Sequence, residues 1–485
     1  MLLLLFVNEQ QPCMLHKSLD EGGLTQLVHN VGCVDNFLID KPSPEEHPGE
    51  SEAEILQARP QWCLCRLPSL SGEEEMELLP VILWWAGGVV GISYLLILAW
   101  AIAYDFAKTR INPGFDHPWK LRALYWNFIM LFTTAKILEC LGVCTQLAFV
   151  RLMTDLRRHK VPPNLYTKDL DFDGVAVRIY LHKTPSPVGR KGFVFFHGGA
   201  GLAGSISSYQ NICNRLANES GSVVVSVGYR LSPEYPFPAQ SEDCHAATVH
   251  FMKNAEVYGV DPSQIVIGGD SAGGNFATMI AQKLAGRSDL PKLRAQVLIY
   301  AGVQAMDFTL PSYQQNARMP FLFRENLAYY GLQALGKDPS LSGDMLRGSH
   351  VPHEMRLKYE KYVSPDNLPE RFKRRGYRPV PPSPFKPEAY EQLSDILDAS
   401  FSTLFADDAV IRQLPETFIV SCEYDILRDD SLLYKKRLED NGVKVGWFHA
   451  ENGFHGVINF FDLGFFSFPL GIEILSRVAE FVKHL

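Results

Sequence analysis

Four short segments carry residue types that together could form and break an acyl bond. In Gly269-Asp270-Ser271-Ala272-Gly273, a β-branched run (Ile265, Val266, Ile267) leads into the serine and a helix-forming run follows it. A strand, a tight turn and a helix in that order need glycine two positions either side of the serine, because the turn leaves no room for side chains. The same turn lifts the Ser271 hydroxyl clear of the sheet, where a base and a substrate can both reach it. A serine nucleophile also needs a base, an acid to orient that base, and donors for the developing oxyanion. His455, in Asn452-Gly453-Phe454-His455-Gly456, is the expected base; His449 falls within a strand pattern and reads as structural. Asp425 closes Phe418-Ile-Val-Ser-Cys-Glu-Tyr-Asp425 and is the expected acid. Asp429 and Asp430 precede Ser431-Leu-Leu-Tyr-Lys-Lys-Arg-Leu438 and read as helix N-terminal charges. The expected oxyanion donors are His197-Gly198-Gly199, where successive glycines leave backbone N–H groups uncovered, together with the Ala272 N–H.

These residues need a frame that brings strand ends together. Strands are predicted at Ala176–Leu181, Gly192–Phe196, Val223–Val227, Gln264–Gly268, Ala295–Tyr300, Thr417–Ser421 and Lys444–His449. Helices are predicted at Ser207–Asn218, Ser241–Asn254, Asn275–Ala285, Asp430–Asn441 and Ile472–His484. Alternation of this kind gives an α/β fold with a mostly parallel sheet covered by helices on both faces. Each candidate then lies at the carboxyl end of a strand, and the chain order Ser271, Asp425, His455 is that of an α/β-hydrolase. The alternation breaks between about 303 and 405, so that span is expected to be a cap insertion dividing the core into 161–302 and 406–485. Its basic, proline-rich tract, Arg371-Phe-Lys-Arg-Arg-Gly-Tyr-Arg378, reads as a solvated loop.

From Leu78 to Tyr104 there are 27 residues without a charge, with Trp84, Trp85, Trp100 and Tyr104 toward the ends. About 20 apolar residues cross a bilayer, so 78–104 is expected to be a transmembrane signal-anchor. Residues 1–75 include the acidic, proline-rich Lys41–Glu50 and are expected to be a disordered or alternative extension, dispensable to the rest. Residues 105–160 follow as N-terminal cap helices; 121–153 is apolar with sparse charges and reads either as a cap lying on the membrane or as plain core. The 485 residues carry 46% hydrophobic and 12% aromatic side chains and a net charge of −8, which supports a large core and gives no reason to bind nucleic acid. Of nine cysteines, five (Cys140, Cys144, Cys213, Cys244, Cys422) follow the anchor, an odd number that argues against a disulfide scaffold. Cys63-x-Cys65 has the wrong spacing for zinc.

His197-Gly-Gly, Tyr229-Arg-Leu-Ser-Pro-Glu234 with Phe237-Pro-Ala239, and Gly-Asp-Ser271-Ala-Gly-Gly together resemble the hormone-sensitive-lipase branch of the α/β-hydrolases. With the anchor, Leu310-Pro-Ser-Tyr-Gln-Gln-Asn316, Asp425-Ile-Leu-Arg-Asp-Asp430 and Gly453-Phe-His-Gly456, roughly 76–485 is similar to the arylacetamide deacetylase-like proteins. The resemblance implies an esterase, lipase or amidase for hydrophobic small-molecule esters or amides, without metal or organic cofactor. It also implies anchoring in the endoplasmic reticulum membrane with a lumenal catalytic domain. Ala200 stands where the family has a third glycine, and its methyl group is expected to crowd the acyl site or shift one donor. The charges flanking the anchor argue the opposite orientation: Glu73, Glu74, Glu75 and Glu77 precede it, and Lys108, Arg110, Lys120 and Arg122 follow it. The one glycan acceptor sequence, Asn218-Glu219-Ser220, agrees with the lumen. Two rival readings remain open. One is a retired hydrolase fold that only binds ligands or partners. The other is an NADP oxidoreductase, for which Gly199-Ala-Gly-Leu-Ala-Gly204 would cradle phosphates and Arg230 would meet a 2′-phosphate. The oligomeric state is not encoded in any motif.

Overall fold

The computed structural model describes residues 72–156, 160–184, 186 and 189–485. The expected extension therefore lies outside the described residues for all but its last few positions. Contacts divide the chain into one unit ending at Ala101 and a second from Ile102 to Leu485. In the first, helix α1 (Gly72–Lys108) begins and runs on into the second. Its segment Leu83–Lys108 has a mean hydropathy of 2.0 and is long and apolar enough to cross a membrane. Leu83, Trp84, Trp85, Val89, Val90, Ile92, Leu95 and Leu96 all project outward, as side chains dissolved in lipid would.

The second unit is built on an eight-stranded sheet ordered β1-β2-β4-β3-β5-β6-β7-β8. The strands are β1 (Leu165–Phe172), β2 (Val175–His182), β3 (Arg190–Phe196), β4 (Val223–Gly228), β5 (Val260–Asp270), β6 (Ala295–Ile299), β7 (Glu416–Tyr424) and β8 (Val445–Phe454). β2 pairs antiparallel with β1 and β4, and every other pair is parallel. The central strands are apolar on both faces because both are covered. Val194 and Phe196 of β3 join Val225, Ile265 and Ile267 on one side, while Phe193 and Phe195 join Val224, Val266 and Val297 on the other. That period of two is the pleat of the strand sorting one apolar run into two cores.

Helices α2 (Pro118–Cys140) and α3 (Gln146–Asp155) precede the sheet. α4 (Gln210–Ser220), α5 (Ala239–Lys253) and α6 (Ala272–Leu284) cross between its parallel strands. Between β6 and β7 the chain forms only helices and loops, including α7 (Arg324–Ala334), α8 (Ser342–Arg347), α9 (His353–Val363) and α10 (Pro387–Leu393). Two long helices, α11 (Arg428–Asp440) and α12 (Pro469–His484), complete the layers. Apolar side chains of α5, α6 and α11 fill one core, and those of α4 and α12 fill the other. The basic tract is not a free loop: Arg375 pairs with Glu423 at 2.7 Å, Arg371 with Glu451 at 3.4 Å, and Phe372 is buried.

Candidate active site

Ser271 stands alone between the end of β5 and the start of α6, at φ 54° and ψ −123°. A side chain in that conformation is strained, and strain of this sort persists only where the surroundings fix it. Here the Ser271 N–H donates to the Ile299 carbonyl at 2.9 Å. A Cβ on Gly269 or Gly273 would stand 2.2 or 2.1 Å from the Phe196 carbonyl oxygen, so only glycine fits on either side. Asp425 follows the last residue of β7 and His455 follows the last residue of β8. His455 Nε2 lies 2.8 Å from Ser271 Oγ, and His455 Nδ1 lies 2.8 Å from Asp425 Oδ2. The other Asp425 oxygen accepts the Leu427 N–H at 2.9 Å, which fixes the rotation of a carboxylate that is itself buried. Three groups far apart in sequence thus form one hydrogen-bonded line.

Asp429 and Asp430 do not reach the imidazole. Asp429 is tied to Arg428 Nε at 2.8 Å and to the Ser312 N–H at 2.6 Å. Asp430 accepts from the Tyr313 hydroxyl at 2.9 Å, and burial pushes its carboxyl up to about 7. His449 lies against Glu423 at 3.1 Å and Ser421 at 2.9 Å, within β7–β8, away from Ser271 in the pairing pattern. Its cluster with Glu423 and Glu451 brings three possible metal ligands together. Arg375 and Arg428, at 2.7 and 3.2 Å, already neutralise Glu423, so the chemistry of the group is that of an ion-pair network.

The loop after β3 departs from expectation at one donor. The Gly198 N–H is committed inward, to Asp270 Oδ1 at 2.9 Å and the Tyr209 hydroxyl at 3.1 Å, and cannot serve an incoming oxyanion. Gly199, Ala200 and Ala272 keep N–H groups that donate to no acceptor among the described residues. Ala200 therefore offers a donor where Gly198 was expected to. The loop turns through positive φ at Gly199 (112°) and Ala200 (57°). At Gly199 a Cβ would meet the Ala203 carbonyl oxygen at 2.2 Å. His197, expected among the donors, is instead the brace beneath them. Its ring stacks on Tyr229 with centroids 4.1 Å apart, and Nδ1 contacts the Tyr229 hydroxyl at 2.9 Å and the Gly198 carbonyl at 2.8 Å. Burial holds its imidazole down to about 4, so the ring is neutral at pH 7.

Asp270 is the residue that the motifs did not single out. It is wholly enclosed and gathers the Gly198 N–H, the Tyr209 hydroxyl at 3.1 Å and the Tyr300 hydroxyl at 3.3 Å. Loss of hydration raises its carboxyl to about 6, against the hydrogen bonds of Tyr209 and Gly198, which lower it. Tyr300 also packs on the His455 ring at 4.9 Å. Asn316, the end of a motif named above, had no role assigned to it: its amide donates to the carbonyls of Glu423 and Asp425, at 3.0 and 2.9 Å, on both sides of Tyr424. The glycine series Gly199–Gly204 is filled by this loop's own turns, with Leu202 N–H donating back to Gly199. Arg230, proposed above for a 2′-phosphate, is held by Asp243 at 2.8 and 2.9 Å. Asn218 is exposed in the last turn of α4, where its side chain accepts from Asn164.

A family model for the alpha/beta hydrolase fold matches residues 193–346 and 386–459, which hold Ser271, Asp425 and His455. Human arylacetamide deacetylase-like 4 is 47% identical over 392 residues, covering 81% of this chain and 96% of that one. Rabbit (Oryctolagus cuniculus) arylacetamide deacetylase is 35% identical over 81% of this chain and 98% of its own. Among solved structures, a thermostable carboxylesterase from a metagenomic library superposes with a TM-score of 0.51 at 26% identity, over 69% of this chain and 94% of that one. Identity at that level along almost the whole of its relatives places the chain: it belongs to the arylacetamide deacetylase family, in the hormone-sensitive-lipase-like branch of the α/β-hydrolases.

Proposed function

We propose that the protein is a membrane-anchored serine hydrolase that cleaves hydrophobic carboxylic esters, and amides of similar shape, with Ser271, His455 and Asp425 as its triad. The family makes it a carboxylic ester hydrolase; the observation that carries the assignment of residues is the pair of 2.8 Å contacts joining Ser271, His455 and Asp425. Ser271 Oγ attacks the carbonyl carbon while His455 Nε2 takes its proton, and Asp425 holds the Nδ1 proton and stabilises the imidazolium. The oxyanion is received by the N–H groups of Gly199, Ala200 and Ala272, and each such donor is worth ~10²–10³ in rate. His455 then returns the proton to the departing alcohol or amine, leaving an acyl-serine. Water, activated by the same imidazole, attacks the acyl carbon and releases the acid and free Ser271. Neither step needs a metal or an organic cofactor. A complete triad also speaks against a retired binding protein.

A fluorophosphonate probe tests the nucleophile directly. Ser271→Ala is expected to abolish labelling and p-nitrophenyl ester turnover in a protein that still folds; normal labelling of the variant would sink the assignment. Residence in the endoplasmic reticulum membrane with the catalytic unit in the lumen belongs to the same proposal. It is supported by the apolar helix α1, the family, and the exposure of Asn218.

A further inference from the structure

We propose that the α2–α3 hairpin, together with the loop carrying Phe465, is a face that lies in the bilayer surface and supplies the active site with membrane-dissolved substrate. The inference rests on α1 being the anchor. Large apolar side chains line this part of the surface: Trp119 is 69% exposed, Leu141 69%, Val143 66%, Leu152 55%, Leu156 60% and Phe465 83%. Isolated exposed apolar residues need no explanation, but a run of them along one helical hairpin does.

Charge makes the face unusual. From Pro118 to Leu156 there are six charged residues, and each is tied to another group. Lys120 donates to the Ser467 carbonyl, and Arg122 is buried on Thr109 at 2.6 Å. Lys136 pairs with Glu139 at 2.5 Å, and Asp155 accepts from Ser205. Arg151 donates to the Leu202 carbonyl at 2.8 Å and pairs with Glu234 at 2.9 Å. With its ions paired or hydrogen-bonded, the hairpin still exposes several large apolar groups, as an interfacial helix does.

Continuity of the chain identifies the occupant as lipid. Phe106, in the last turn of α1, stacks on Trp119, in the first turn of α2, with ring centroids 6.5 Å apart. The hairpin therefore begins at the foot of the apolar helix, and its first exposed aromatic sits where that helix ends. Gly464–Phe466 packs against α2, so the exposed Phe465 lies beside the hairpin. At the far end, Arg151 of α3 grips the loop that carries the Gly199 and Ala200 donors. A lipid-facing hairpin that grips the 199–204 loop brings that loop, and the Ser271 site beside it, close to the membrane surface.

The test uses the full chain in phosphatidylcholine vesicles containing doxyl-labelled lipid. A genetically encoded fluorescent amino acid is placed singly at positions 143, 152 and 465, with position 89 in α1 as lipid control and position 257, on the exposed Val257, as water control. Quenching at 143, 152 and 465 approaching that at 89, and several-fold above that at 257, is the expected result. Quenching at 89 alone would overturn this proposal and leave the anchor standing; none at 89 would remove both. The double variant Leu152→Glu, Leu156→Glu should raise KM several-fold for a long-chain ester dissolved in the vesicles while leaving p-nitrophenyl acetate turnover unchanged. Equal loss on both substrates, or on neither, would refute delivery from the bilayer.

Discussion

Replacing Asp270 by asparagine should make the protein more stable at neutral pH than at acid pH relative to wild type, although it alters the residue next to the nucleophile. In wild type, burial raises this carboxyl from 3.8 to about 6. A raised value means that the fold prefers the protonated form. Its favourable contribution is complete below about pH 3.8 and is lost as pH rises through about 6. Two pKa units at ~1.4 kcal/mol each make the ionised group cost roughly 3 kcal/mol above that window. Asparagine does not titrate. Its carbonyl oxygen can keep the Gly198 N–H, and the Tyr209 and Tyr300 hydroxyls can rotate to accept from its amide. Chemical denaturation in detergent at pH values between 4 and 8, followed by tryptophan fluorescence, measures the difference between the two proteins. Groups shared by both, such as Asp430, cancel. The variant should gain roughly 3 kcal/mol on wild type between pH 4 and pH 8. A difference that stays flat with pH would mean that the carboxyl keeps its ordinary value and that burial does not govern Asp270. Asp270→Ala, which leaves the Gly198 N–H without its carboxylate, should in contrast lower both stability and kcat.

Ala200→Gly should hold or raise kcat, because the backbone N–H remains while the methyl group leaves. Its stability should move by no more than about 1 kcal/mol, the relief of positive φ being offset by a freer unfolded chain; a large fall in kcat would show a site adapted around the methyl. Asp425→Asn should lower kcat by orders of magnitude on p-nitrophenyl esters while Asp429→Asn chiefly lowers stability, and the reverse pattern would reassign the acid. Endoglycosidase treatment should shift the mobility of wild type but not of Asn218→Gln, whereas a protease-sensitive catalytic unit in sealed microsomes would place it in the cytosol.

The parts of the site that were legible in the sequence are those encoded locally. A glycine-flanked serine between an apolar run and a helix specifies its own turn, and Asp425 and His455 each follow a recognisable strand. Even so, β8 runs on to Phe454, so that His455 leaves the sheet directly rather than from a loop after His449. β1 was not legible: Leu165-Tyr-Thr-Lys-Asp-Leu-Asp-Phe172 is an edge strand with half of its side chains exposed, and such a strand lacks the apolar signal of a covered one. The choice between Gly198 and Ala200 as donor depends on which way each N–H points. That direction is set by positive φ at Gly199 and Ala200 and by a carboxylate 72 residues away. Tyr209 and Tyr300 belong to no motif, and only the assembled fold brings them to Asp270.

The segment between α1 and α2 ties the end of the apolar helix to the candidate site. Asn112 donates to the Asn316 side chain at 2.8 Å, and Asn316 in turn holds the Asp425 carbonyl. Phe115 packs on Tyr424 at 5.3 Å and on Phe454 at 5.9 Å, the residues immediately before Asp425 and His455. The Asp116 N–H and carboxylate bind the Asn452 side chain at 3.1 and 2.6 Å, fixing the strand that delivers His455. A Cβ on Gly114 would meet the Tyr424 hydroxyl at 2.7 Å, so the strut sits close against the acid's strand. Asp425 and His455 come from separate strand ends, and a line of two 2.8 Å contacts tolerates little relative movement between them. One strut touching both ends removes that movement. The stretch of chain that leaves the apolar helix is therefore part of the frame around Asp425 and His455, and their position is coupled to the point where the chain leaves that helix.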